Sequence, residues 1–294
     1  MPESVLHRPL LAWYDEEARD LPWRQTDTTP WAVMVSEFML QQTPVARVLP
    51  MFETWLQSWP TPAALAADSP GEAVRAWGRL GYPRRALRLH GAATAIRDRH
   101  GGEVPVSYDD LRALPGVGDY TAAAVASFGH GRRHVVLDTN VRRVLARLLD
   151  GAEHPSSAAV TVAERRRAES VLPDDDLTAA RWAAATMELG AVLCTARDPR
   201  CGACPVRARC TWQRVGAPPY AGPPRRAQTY AGTDRQCRGR LLGVLRDATD
   251  PVAAQDLERV WDDAPQRIRA LDSLVADGLA ELLDGERFRL PTGR

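Results

Sequence analysis

Four of the five cysteines fall within residues 194–210: Cys194, Cys201, Cys204 and Cys210, with six, two and five residues between them. Four thiolates so close in sequence can wrap one small inorganic centre, and thiolate donors select zinc or an iron–sulfur cluster. That distribution suits a metal site in a reducing compartment rather than a disulfide framework. Cys237 lies apart and reads as a spare or buried thiol. Two carboxylates also stand out. Glu37 shares a helical face with Val33, Met34 and Leu40, and apolar surroundings raise a carboxyl pKa and favour a proton-donating form. Asp138 precedes Thr139-Asn140-Val141-Arg142-Arg143, where it can cap a helix, and capping leaves one oxygen available for chemistry.

One absence limits the chemistry further. The chain has 38 basic residues and none is lysine, so no lysine side chain can form a Schiff base. The net charge is only +1, so contact with a polyanion requires local stripes of arginine rather than a general excess. Arg197, Arg200, Arg207 and Arg209 form such a stripe around the cysteines.

These groups need elements to hold them. Pro30 opens a helix through Trp31, Met34, Val35, Phe38 and Met39, whose spacing repeats at three and four. Leu114-Pro115-Gly116-Val117-Gly118-Asp119-Tyr120-Thr121 joins two predicted helices. Two glycines around Val117 permit a tight turn with outward amides, and the following helix start offers a phosphate cradle. Asp138 begins a helix predicted over 139–149. About ten helices with short connections are expected from Pro9 to about Arg200, punctuated by Pro60, Pro70, Gly81, Pro155 and Pro173, with almost no strand signal. Residues 216–224 hold four prolines and two glycines and read as a linker. Beyond it, helices are predicted over 234–247, 252–261 and 264–277, then a hairpin turning at Asp284-Gly285 between 279–283 and 288–290. That order suggests a winged helix. The N-terminus lacks the pattern of a signal peptide and no window is apolar enough to span a bilayer, so a soluble cytoplasmic protein is expected.

The spacing C-x6-C-x2-C-x5-C after a helical domain resembles the cluster loop of the endonuclease III and MutY glycosylases. Leu21-Pro22-Trp23-Arg24, Ser36-Glu37-Phe38-Met39-Leu40-Gln41-Gln42-Thr43, Gly81-Tyr82, the glycine hairpin, Leu137-Asp138-Thr139-Asn140 and Met187-Glu188-Leu189-Gly190 stand in the order of the MutY-type adenine glycosylases, over residues about 9 to 215. The resemblance implies an all-α, two-lobed helix–hairpin–helix glycosylase at 1–215, a linker at 216–224 and a winged-helix-like C-terminal domain at 225–294. It implies a [4Fe-4S] cluster on the four cysteines and a hairpin (Gly116, Val117, Gly118) that holds DNA phosphate. Glu37 is then the acid that protonates adenine N7, and Asp138 the anion that steadies an oxocarbenium-like sugar. Tyr120 and Asn140 orient them, with Tyr120 standing where bifunctional relatives carry the lyase lysine. Arg24 and Glu188 meet the flipped adenine; Gln42, Tyr82, Leu40 and Thr43 belong to the segments that probe or wedge the duplex. The substrate implied is double-stranded DNA with adenine opposite 8-oxoguanine or guanine, handled by a monomer in the nucleoid.

The chain departs from the family after the linker. Typical members carry a MutT-like C-terminal domain, whereas here about 70 residues remain, with twelve arginines balanced by twelve acidic residues. Arg235, Arg238, Arg267 and Arg269 could line a DNA-binding wing there; a packing or partner-docking role is the alternative. Two other functions fit parts of the pattern: a thymine or uracil mismatch glycosylase, and a non-catalytic DNA-binding protein whose cluster senses redox state.

Overall fold

A computed structural model describes residues 4–220, 222 and 230–293, so residues 221, 223 and 224 of the linker and 225–229 after it lie outside the described residues. Two compact units are present. One gathers residues 1–34, 106–112 and 117–224, the other residues 35–105, 113–116 and 225–294. Helices dominate both, and no helix among the described residues is long and apolar enough to cross a membrane.

The first unit is organised by the helix Asp176–Val192, which packs against Ser4–Glu17 and Thr139–Leu145. Leu6, Leu10, Val144, Leu148, Trp182, Leu189 and Trp212 are buried in one cluster. Burying a large apolar side chain contributes about 1.5–3 kcal/mol. Two helix starts are secured by side-chain caps. Asp175 accepts from the Thr178 amide (2.8 Å), and Thr161 and Glu164 form a reciprocal capping box. One helix ends differently from expectation, and a second shows the same feature. The helix predicted over 139–149 is α-helical only through Leu145 and widens into a π-turn at Ala146–Asp150, and a second π-turn, Val125–Gly129, follows Asp119–Ala124. π-Turns of this kind are frequent at functional sites.

In the second unit, Val45–Ser58, Pro62–Ala67, Pro70–Trp77 and Arg84–Arg99 surround a tryptophan centre. Trp55 packs edge-on against Trp59 and Trp77 at 4.6 and 5.5 Å. The terminal segment supplies the helices Asp234–Asp247, Ala254–Glu258 and Ala264–Ala276 and a three-stranded antiparallel sheet. Here the sequence reading needs correction. Residues 252–253 are a strand, not the start of a helix: Val252 pairs with Phe288 and Ala253 with Arg287. Pro251 disfavours helix before it and lacks the amide a longer helix would use. The hairpin strands are Glu281–Leu283 and Arg287–Arg289, and the turn spans three residues because Gly285 and Glu286 both take positive φ. With that strand added, the terminal segment runs helix, strand, helix, helix, strand, strand.

Within this unit the terminal segment is fastened to Pro70–Trp77 by backbone groups. Arg75 donates to the carbonyls of Arg246 and Ala248, Arg246 donates to that of Val74 (3.0 Å), and the Gly71 amide reaches Pro291 O (2.8 Å). A Cβ on Gly71 would stand 2.5 Å from that same carbonyl, so glycine is required. The four arginines considered for a DNA-binding wing are engaged within the unit. Arg267 is buried and donates to Trp261 O, Arg238 pairs with Asp277 (2.6 Å), Arg269 faces Asp234 (3.7 Å), and Arg235 lies over the Tyr230 ring. Unlike Arg267, Arg235 and Arg269 remain exposed to solvent.

Candidate active site and cluster loop

Asp138 sits at the N-terminus of Thr139–Leu145, as the sequence predicts, and both of its oxygens are used. Oδ1 accepts from the Val141 amide (2.6 Å) and Oδ2 from Asn140 Nδ2 (2.8 Å). Burial raises its pKa above the ordinary aspartate value, against the pull of those two donors and the positive charge of Arg143. Arg143 extends the chain of contacts. Its Nη2 donates to Asn140 Oδ1 (2.7 Å) and Gly190 O (2.6 Å), and its Nε to Cys194 O (2.8 Å). Gly190 must be glycine, since a Cβ there would fall 2.8 Å from the Asn140 Cβ and 2.9 Å from its carbonyl oxygen. The orientation of Asn140, and through it of Asp138, therefore depends on Arg143 and Gly190. The sequence signals neither role.

Arg24 and Glu188 are brought together. Glu188 is fully buried; its Oε2 accepts from Arg24 Nη2 (2.9 Å) and Arg19 Nη2 (2.8 Å), its Oε1 from Arg19 Nε (2.7 Å) and the Arg19 amide (3.1 Å). Despite the opposing effect of burial, those donors hold its pKa down at about 2. Four donors saturate the carboxylate, whereas Arg24 Nη1 is buried without a hydrogen-bond partner. Arg24, not Glu188, has unused bonding capacity. Arg19 is a participant the sequence reading misses. Tyr120 is partly buried against Ala123, Ala124, Val136 and Ala183.

Glu37, Leu40, Gln42, Thr43 and Tyr82 belong to the second unit. Glu37 is 5 % exposed on the helix Pro30–Leu40, among Val33, Met34 and Phe38, which are buried to 3 % or less. Gln42 and Tyr82 are exposed and both adopt left-handed backbone, φ 56° and 47°, at a cost of roughly 1–2 kcal/mol each for a residue with a side chain. Thr43 is buried. In the hairpin, Gly116 takes φ 75° and a Cβ would strike Arg88 at 2.5 Å, so it serves the fold. Gly118 has ordinary φ and a Cβ would meet nothing within 4 Å. The fold does not require glycine at 118; an approaching backbone or phosphate would.

The four cysteines line one cavity together with Arg147, Leu193, Trp212 and Gln213. They ring a space rather than close on a point: among the described residues, no three His, Cys, Asp or Glu side chains could hold a single metal ion. Gln213 Nε2 lies 3.4 Å from Cys201 Sγ and Arg147 Nη1 3.3 Å from Cys194 Sγ, while Arg147 Nη2 is buried with no partner. Burial and the neighbouring sulfurs push the Cys204 thiol up to about 11, so its thiolate calls for a cationic centre beside it. The donor set fits an iron–sulfur cluster, with Arg147 and Gln213 as donors toward sulfur. Arg197, Arg200, Arg207 and Arg209 are exposed around it.

Comparison with known proteins agrees with this geometry. The HhH-GPD superfamily of base excision DNA repair proteins matches residues 35–166, and the iron–sulfur binding domain of endonuclease III matches residues 194–210. A solved thermostable thymine-DNA glycosylase has the same fold over 72% of this chain and 97% of its own, with a TM-score of 0.63 and 24% identity. The adenine DNA glycosylase of Mycobacterium tuberculosis H37Rv is 51% identical over 99% of this chain and 95% of its own length. That of Mycolicibacterium smegmatis is 52% identical over 98% and 96%. The chain belongs to the adenine DNA glycosylase family of this superfamily, and residues 194–210 are its iron–sulfur binding loop. Both mycobacterial alignments run into the terminal segment.

Proposed function

We propose that the chain is a monofunctional glycosylase that hydrolyses the N-glycosidic bond of adenine opposite 8-oxoguanine or guanine in duplex DNA, acting as a monomer in base excision repair. The observation that carries this reading is the acid at position 37, buried on an apolar helix in a chain half identical to adenine glycosylases along nearly its whole length.

Adenine departs poorly as an anion. Glu37 delivers a proton to N7, so that the base leaves neutral. The sugar becomes cationic as the bond stretches, and Asp138, held by Val141 and Asn140, stabilises it as a carboxylate or bonds to it briefly. Water then attacks, with Glu37 as base. Tyr120 orients this group. Arg24 directs its unused Nη1 to the extruded base, and Glu188, saturated by Arg19 and Arg24, anchors that arginine. Extrusion is needed because the reacting bond is inaccessible in the stack. Gln42 and Tyr82 meet the duplex where the base leaves it, Leu40 and Thr43 belong to the segment that carries Gln42, and the amides near Val117 and Gly118 bind phosphate. The iron–sulfur cluster, held by Cys194, Cys201, Cys204 and Cys210, supplies a fixed shape to a loop whose arginines face phosphates. Residues 1–215 carry the reaction; 225–294 follow the linker as a winged-helix-like segment that packs on Pro70–Trp77.

Without lysine the product is an abasic site on an intact strand. Duplexes pairing A, T or U with G or 8-oxoguanine, treated with enzyme and then with or without alkali, test this directly. Strand scission should appear only for adenine and only after alkali. Release of thymine or uracil would support a mismatch pyrimidine glycosylase, no release at all a binding protein, and scission without alkali a lyase.

A further inference from the structure

Arg85 is the most heavily bonded side chain of the second unit, and nothing above gives it a role. It is 4 % exposed, at the start of Arg84–Arg99. Nη1 donates to the carbonyls of Phe38 (2.8 Å), Met39 (2.9 Å) and Gln41 (2.5 Å), which end the helix Pro30–Leu40. Nη2 donates to Thr43 Oγ1 (2.9 Å) and to Gly81 O (3.0 Å), and Nε points at Tyr82 O (3.5 Å). The guanidinium lies over the rings of Trp77 (5.2 Å) and Tyr82 (5.6 Å). None of these partners is a carboxylate. A helix C-terminus needs its last carbonyls satisfied, but a glycine or water usually does so. Here one buried cation ties that helix end to a second loop.

The two segments tied together, 41–43 and 81–82, each carry an exposed residue in the left-handed region, Gln42 and Tyr82; the unit's other such side chain among the described residues, Glu286, sits in the terminal hairpin turn. We propose that Arg85 is a positioning residue for base extrusion: its guanidinium locks the backbone flanking Gln42 and Tyr82 in one conformation, so that both side chains meet the duplex already ordered. This rests on the duplex-probing role proposed for those two residues. A planar fork with five donors can bridge two loops, whereas an ammonium with three donors on a flexible stem cannot hold the same set. Preorganisation of this kind acts on the step that unstacks the base and leaves non-specific phosphate contacts alone.

The test compares Arg85→Lys with the milder Thr43→Val, which removes one acceptor. In a Glu37→Gln background, so that no base departs, 2-aminopurine opposite 8-oxoguanine reports unstacking by fluorescence. In the otherwise native enzyme, single-turnover release is measured for adenine paired with 8-oxoguanine and for adenine facing an abasic analogue. Arg85→Lys should keep its melting temperature and its affinity for matched duplex within about twofold, while extrusion and release from the paired substrate fall about tenfold or more. Release from the unpaired target, which needs little unstacking, should fall less than about threefold. Thr43→Val should move the same readouts the same way, by about threefold. Equal losses on paired and unpaired targets would make Arg85 a scaffold residue and overturn the proposal. So would an unaltered paired rate in either variant, or a lysine variant that does not fold beside a fully active Thr43→Val. If the native enzyme releases no adenine, the functional reading fails instead, and extrusion fluorescence still reports on Arg85.

Discussion

Glu37→Gln is expected to bind mismatch-containing duplex with near-native affinity and to release no measurable adenine within the time in which the native enzyme turns over. The amide matches the acid in size and can occupy the same buried site, so the fold and the duplex contacts persist. It has no proton to give. A positioned general acid contributes about 10²–10⁴ in rate, and the loss should approach the upper end because Glu37 also serves as base for the attacking water. Single-turnover kinetics beside a direct binding measurement check this; a variant that turns over near the native rate would remove Glu37 from the chemistry.

Asp138→Asn should also lose most of its activity while melting close to the native protein. Asparagine caps a helix about as well as aspartate, so the bond from the Val141 amide survives. What disappears is the negative charge facing the cationic sugar, and removing one such electrostatic stabiliser typically costs about 10²–10³ in rate. The stability argument follows from linkage. Burial raises the Asp138 pKa in the folded protein, so the folded state binds its proton more readily than the unfolded state does. The ionised carboxylate therefore opposes folding increasingly as pH rises through the unfolded pKa, an opposition that reaches its full size above the folded one. Replacing it removes that opposition but also the acceptor for Asn140 Nδ2, which then faces an amide NH2; the two effects oppose one another, and at neutral pH the variant should melt close to the native temperature. In the native enzyme the ionised form does the chemistry. Activity should then fall on acidification with a midpoint above that of an ordinary aspartate, and higher still in Asn140→Leu, which loses a donor to the charged form. A variant that melts well below native protein, or an acid limb at the ordinary carboxylate pKa, would contradict this.

What the sequence made legible was local. The cap at Asp138, the apolar face carrying Glu37, the turn at Gly116 and the cysteine spacing are all written within a few residues of the chain, where helix and turn chemistry decides the outcome. What it concealed was long-range. Arg143 reaches Cys194 O across 51 residues of chain, Arg85 reaches Phe38 O across 47, and Arg19 reaches Glu188 across 169. With every basic residue an arginine, nothing in composition separates these buried organisers from the exposed arginines of the cluster loop. The strand at Val252–Ala253 was hidden for a similar reason: two residues carry no period, and only pairing with Phe288 and Arg287 defines them. Glu188 shows a subtler gap. Its motif marked it as important, but only the geometry shows its oxygens already taken.

Proton delivery to N7 is the step on which the proposed chemistry depends, and a duplex carrying 7-deazaadenine opposite 8-oxoguanine tests it most directly. That base has carbon in place of N7 and keeps the pairing edge and the shape of adenine. The native enzyme should bind this duplex as well as the adenine one and leave the base attached, as Glu37→Gln does with adenine itself. Release of 7-deazaadenine at the adenine rate would show that the bond breaks without a proton at N7, and Glu37 would not be the acid described.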